Sequence, residues 1–169
     1  MLSVGVNLVP RTGLSALHAE VTALSLAQQR MGGWDLGAGG ASRQLVVNAR
    51  PCVQCFGAVL WSGVRSLVIG ADGPEVEEAT GFDEGPMVAD WMEQLSARGI
   101  DVTAGVRHAQ ALQVLRDFGA SDSLVYYPRG GSSSGWLSSA RRAARDERER
   151  CPSAGCTSPP AHRGPAPRP

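Results

Sequence analysis

His18-Ala19-Glu20 and, 31 residues beyond Glu20, Pro51-Cys52-Val53-Gln54-Cys55 bring an imidazole, two thiols and a carboxylate into one ordered pattern. Imidazole nitrogen and thiolate sulfur are ligands that suit Zn²⁺, and three of them leave a fourth tetrahedral position for water, the arrangement of a catalytic site. Zinc lowers the pKa of such a water to about 7, so hydroxide becomes available at neutral pH. Glu20 is not needed as a ligand and is left to carry protons.

The spacing is consistent with both halves lying at helix starts. After Ser15, a cap residue, the stretch Leu17 to Arg30 has apolar residues at 17, 21 and 24 and is composed of good helix formers. His18 and Glu20 then fall in its first turn. Pro51 suits a first helical position, and Cys52 and Cys55 share a face of the next helix. The positive ends of both helix dipoles would favour thiolates and a bound hydroxide. Each half alone carries little information. A Cys-x-x-Cys also serves as a redox pair, as half of a structural zinc site, or as two small buried residues, and His-x-Glu arises by chance on helix surfaces. The two in this order, each heading a helix, favour the catalytic site.

The chain has 169 residues, 43% of them hydrophobic, enough for one ordinary domain with a core. The formal net charge of +0 gives no electrostatic case for a nucleic acid or an anionic membrane partner. No apolar run reaches membrane-spanning length, and Met1 to Arg11 lacks the plan of a signal peptide. A cytoplasmic location is expected, where four cysteines suit metal binding better than disulfides. All sixteen basic side chains are Arg, a compositional bias that carries no functional information.

Strand and helix patterns alternate. Val4 to Val9 reads as a strand, Leu17 to Arg30 as a helix, Gln44 to Asn48 as a strand, Cys52 to Ser62 as a helix and Ser66 to Gly70 as a strand. An acidic segment follows, containing Gly81-Phe82-Asp83-Glu84-Gly85-Pro86. Beyond it come a helix near Ala89 to Arg98, a strand from Ile100 to Val106 and a helix from His108 to Phe118. The alternation predicts an α/β fold with helices covering a sheet. After Arg129 the composition shifts to Gly, Ser, Arg and Pro, so residues 130–169 are expected to form a disordered tail, with a helix around Leu137 to Arg150. Cys151, Cys156 and His162 fit no standard zinc spacing and read as tail side chains.

With these residues in hand, the chain resembles the cytidine deaminase superfamily. The signature is the His-x-Glu and Pro-Cys-x-x-Cys pair of zinc-dependent base deaminases. Longer strings resemble the branch that includes guanine and ammeline deaminases: Ala23 to Gln28, Phe56 to Val68, and Gly81 to Pro86. The resemblance covers about residues 1–129, expected to form the deaminase domain. It implies a three-layer α/β/α fold with a central mixed sheet, and Zn²⁺ on His18, Cys52 and Cys55. Glu20 is implied as the proton shuttle, Glu84 as a second acid that protonates the leaving group, Asn7 as a hydrogen-bonding partner of the substrate and Phe82 as a ring that stacks on it. Without the resemblance, Asn7 reads as a turn residue and Asp83 and Glu84 as a solvated loop.

A zinc-bound hydroxide attacks an electron-poor, amino-bearing ring carbon flanked by nitrogen, and Glu20 protonates the adjacent ring nitrogen. Guanine, ammeline-type triazines, cytosine and adenine all offer such a carbon. The branch strings put guanine, released as xanthine and ammonia, first, ahead of cytidine or tRNA adenosine. The resemblance also implies a dimer or higher oligomer, which no residue pattern here decides between; a homodimer with a small-molecule substrate is expected. Family members begin with a helix and a strand that precede the segment starting here at Met1; that strand lies between those of Val4 to Val9 and Gln44 to Asn48. Both elements are expected to be missing here, which leaves open a relic that binds zinc without turnover.

Overall fold

The computed structural model describes residues 1–126. In chain order the elements are α1 (Val9–Thr12), α2 (Ala19–Met31), β1 (Gln44–Ala49), α3 (Val53–Ser62), β2 (Ser66–Ala71), α4 (Gly73–Thr80), α5 (Trp91–Ser96), β3 (Asp101–Thr103) and α6 (His108–Gly119). The three strands form one sheet in the order β1-β2-β3, with both pairings parallel. Leu45 sits opposite Leu67 and Val47 opposite Ile69, so the aliphatic runs of the two strands are in register.

The expected α/β class is the observed one. The described sheet is parallel throughout, however, where a mixed sheet was expected. The cause is the connections: α3 carries the chain from β1 to β2, and α4 and α5 carry it from β2 to β3, so each strand re-enters the sheet in the same direction. Val4 to Val9 is not a strand either. Residues 1–8 have no regular structure, Val9 begins a single helical turn with Pro10 inside it, and Val4 and Val6 are exposed. A cleft of about 530 Å³ separates Met1–Gly5 from β1, so the segment has no strand to pair with. A lone extended segment without a ladder does not form a strand.

Helices pack on both faces of the sheet. Side chains alternate along β2, and Leu67 and Ile69 join the main core with Leu24 and Ala27 of α2, Val59 of α3, and Trp91 and Leu95 of α5. On the other face α6 approaches so closely that a Cβ at Gly70 would collide with that of Ala111. A second cluster joins Ala71, Val76 of α4 and Leu115 of α6. The expected disordered tail and its Cys151, Cys156 and His162 lie outside the described residues.

Several boundaries differ from those expected, and the differences bear on the site. Helix α2 starts at Ala19, with His18 rather than Ser15 at its cap position. Helix α3 starts at Val53, so Cys52 holds the cap and Pro51 precedes it instead of taking the first helical position. Helix α4 lies within the segment read only as acidic. Its start carries ordinary signals, with the Asp72 carboxylate accepting from Gly73 N–H at 2.7 Å and a proline in the first turn.

Candidate metal centre and active site

His18 and Cys52 occupy equivalent positions at the starts of α2 and α3. His18 has φ −64° and ψ 162°, Cys52 has φ −65° and ψ 171°, and neither side chain caps its own helix. Ser, Thr or Asp at such a position would turn back onto the helix N–H groups. An imidazole and a thiol are free to point outward, and here they meet: Cys52 Sγ lies 3.4 Å from His18 Nδ1. Cys55, one turn into α3, is fully buried. One ligand atom from each of His18, Cys52 and Cys55 lies within 4.8 Å of the other two. A tetrahedral zinc with ligands at about 2.0 to 2.3 Å needs donors about 3.3 to 3.8 Å apart, so small side-chain movements complete the site.

The electrostatics fit a cation. The Cys55 thiol hydrogen-bonds the Cys52 sulfur and, with His18, pulls Cys52 down to about 4 against the effect of burial. The same bond and burial push Cys55 far up. Two buried sulfurs therefore share one negative charge, and a cation among them would take the place of the shared proton. Its hydrogen bond to Cys52 raises His18 above the usual imidazole value, against burial. Burial raises Glu20. Burial also pushes Glu84 up to about 7, helped by the negative Cys52 and Glu20.

The remaining expected residues gather around this cluster. Asn7 is exposed; its Oδ1 accepts from Val9 N–H at 3.0 Å and its Nδ2 donates to the Tyr126 hydroxyl at 2.8 Å. The Tyr126 ring stands edge-on to His18, with centroids 6.1 Å apart, and edge-on to Phe82 at 5.3 Å. Phe82 stacks on Phe118 at 5.5 Å, so one of its faces is covered. The loop carrying Phe82 and Glu84 is tied to the cysteine helix, since Glu84 O accepts from Val53 N–H at 3.0 Å. Tyr126 carries no sequence signal of a site role, since it lies 119 residues from Asn7 and in no recognisable pattern. The 530 Å³ cleft reaches Glu20 but none of the three donor residues, so it belongs to the gap beside β1 rather than to the metal cluster.

The cytidine and deoxycytidylate deaminase zinc-binding region matches residues 1–71. A guanine deaminase from Nitrosomonas europaea is 50% identical, with a TM-score of 0.67 over 69% of this chain and 64% of that one. A protein solved in complex with 2,6-diaminopurine is 49% identical, with a TM-score of 0.67 over 75% of this chain and 67% of that one. A tRNA adenosine-34 deaminase, 22% identical with a TM-score of 0.52 over 67% of this chain and 75% of that one, shares the fold. No curated protein sequence matches. The chain spans 64% of the length of the Nitrosomonas enzyme. With Zn²⁺ as the cofactor suited to its His, Cys, Cys cluster, the chain belongs to the cytidine and deoxycytidylate deaminase family.

Proposed function

We propose that the protein is a hydrolytic deaminase of guanine or a closely related aminated heterocycle, releasing ammonia. The observation that carries this is the convergence of His18, Cys52 and Cys55 with two half-buried acids, Glu20 and Glu84, whose burial makes them hold protons longer than free carboxylates do. His18, Cys52 and Cys55 hold the zinc, which when bound supplies Lewis acidity and makes water nucleophilic at neutral pH. Glu20 takes a proton from that water and gives it to the ring nitrogen next to the attacked carbon. Glu84, whose burial favours its protonated form, donates to the departing amine. Asn7 orients the base through its amide, held by Val9 and Tyr126, and Phe82, backed by Phe118, offers a ring to it.

Guanine ranks first on the 50% identity with a guanine deaminase. A homodimer is part of the proposal, with Trp61 and Val53 of α3 exposed and available for burial. No helix among the described residues is long and apolar enough to cross a membrane, and a cytoplasmic location is proposed with it. The test is ammonia release from guanine, ammeline, cytosine, cytidine, adenine and adenosine on zinc-loaded protein. Guanine or ammeline as best substrate supports the reading. A cytidine or adenosine preference refutes the substrate assignment, and no ammonia from any of them refutes the enzyme.

A further inference from the structure

Arg50 joins the last residue of β1 to Pro51 and Cys52, and its side chain is only 11% exposed. Its backbone N–H donates to Ala71 O at 2.8 Å, and its Nη1 lies 3.8 Å from Asp72 Oδ1. The guanidinium fills the space beside Gly73: a Cβ there would sit 2.5 Å from Arg50 Nε and closer still to Cζ and Nη2. Arg50 Nε is buried with no hydrogen-bond partner among the described residues. A buried guanidinium so sparsely paired is unfavourable for folding and calls for an explanation.

The surrounding contacts supply one, because they close a ring. From Arg50 the path runs through Asp72, the cap of α4, and along that helix to its far end. There the Glu77 carboxylate accepts from Glu84 N–H at 3.4 Å and the Thr80 hydroxyl accepts from Phe82 N–H at 3.2 Å. Glu84 O then accepts from Val53 N–H, beside Cys52. One ring of contacts thus holds a donor of the metal cluster and the second acid, and Arg50 supplies its ion pair.

We infer that Arg50 is a positioning residue: seated in the Gly73 cradle and paired with Asp72, it fixes the turn that presents Cys52 against the helix and loop that present Phe82 and Glu84. The chemistry it serves rests on the deaminase reading, but its effect on the metal site does not. A planar guanidinium fills the space over a bare Cα, whereas a methyl group at position 73 would push it out. A slimmer ammonium at position 50 would tolerate that methyl group.

The experiment uses the full chain as wild type, Gly73→Ala, Arg50→Lys and the double variant, each loaded with Co²⁺ and with Zn²⁺. Gly73→Ala is expected to bind one metal and unfold cooperatively, yet to change the thiolate-to-cobalt absorption and lower kcat about 10- to 100-fold with little change in KM, the penalty of a misplaced catalytic group. The double variant is expected to restore the cobalt spectrum toward that of Arg50→Lys and to recover at least about half of the lost rate on a logarithmic scale. An unchanged cobalt spectrum in Gly73→Ala overturns the inference. So does a double variant that shows only the sum of the two single effects. If Gly73→Ala fails to fold, Arg50→Met and Asp72→Asn take its place, and loss of stability in these with an unperturbed cobalt spectrum also overturns it. If no variant, wild type included, releases ammonia, the deaminase reading fails while the spectra still decide the role of Arg50.

Discussion

Zinc uptake should release about one proton from the two thiols rather than two. An isolated pair of cysteines near their usual pKa of about 8.5 would lose roughly two protons on binding zinc at neutral pH. Here Cys52 is pulled down to about 4 by the Cys55 thiol and by His18, so at pH 8 it has no proton to give. Cys55, raised by its bond to Cys52 and by burial, still has one. His18, also raised, adds a fraction that shrinks with pH, and Glu84 at about 7 is largely ionised by then. Displacing one thiol proton instead of two makes the apparent affinity depend less steeply on pH. The assay follows thiolate absorbance near 240 nm in the demetallated protein, with Cys151 and Cys156 replaced by Ser, as the pH is raised from 5 to 8; it reads the thiols alone, free of the proton that zinc-bound water gives up at a pKa of about 7. About one thiolate per chain throughout that range is expected. No thiolate below about pH 7, with both appearing together toward a pKa of about 8.5, would refute the shared-charge account of Cys52 and Cys55.

Other outcomes follow from the same geometry. Glu20→Gln should keep about one zinc per chain, read by metal analysis, and lower kcat by at least about 10²-fold, because the amide keeps the shape and removes proton transfer. Glu84 has a folded pKa of about 7, above its ordinary value, so its burial favours the protonated form and its contribution to stability falls as pH rises from the unfolded value toward 7. Glu84→Gln should therefore lower kcat in the zinc-loaded enzyme and, in the demetallated protein, raise Tm relative to wild type more at pH 8 than at pH 4. Leu95→Ala, at a fully buried position, should cost about 2 to 5 kcal/mol by urea unfolding, whereas Trp61→Ala at an exposed one should cost under about 0.5 kcal/mol in dilute monomer. Val46 is exposed on β1, which has a partner strand on one side only among the described residues; Val46→Lys should reduce concentration-dependent association in light scattering without lowering Tm.

Much of the site was legible because its chemistry is local. His18 with Glu20 and Cys52 with Cys55 are each set by a single helix start, and helix starts are written in short patterns. The alternation of Leu45 to Val47 and Leu67 to Ile69 with helical segments likewise exposed the α/β class. What the sequence concealed depends on distant partners. Val4 to Val9 has the composition of a strand but meets a cleft where a neighbour would lie. Helix α4 was masked because Glu75, Glu77 and Glu78 outweigh its single buried Val76 in any apolar pattern. Tyr126 and Arg50 take their significance from contacts with Asn7 and with Asp72 and Gly73, which no local spacing announces.

The most direct measurement of the central claim is the conversion of guanine to xanthine by the zinc-loaded chain, followed by ultraviolet absorbance with ammonia and bound zinc quantified on the same sample. About one zinc per chain, stoichiometric xanthine and ammonia, and loss of both metal and turnover in Cys55→Ala are expected of a guanine deaminase. A chain that holds its zinc on His18, Cys52 and Cys55 yet releases no ammonia from guanine or from ammeline would contradict the claim.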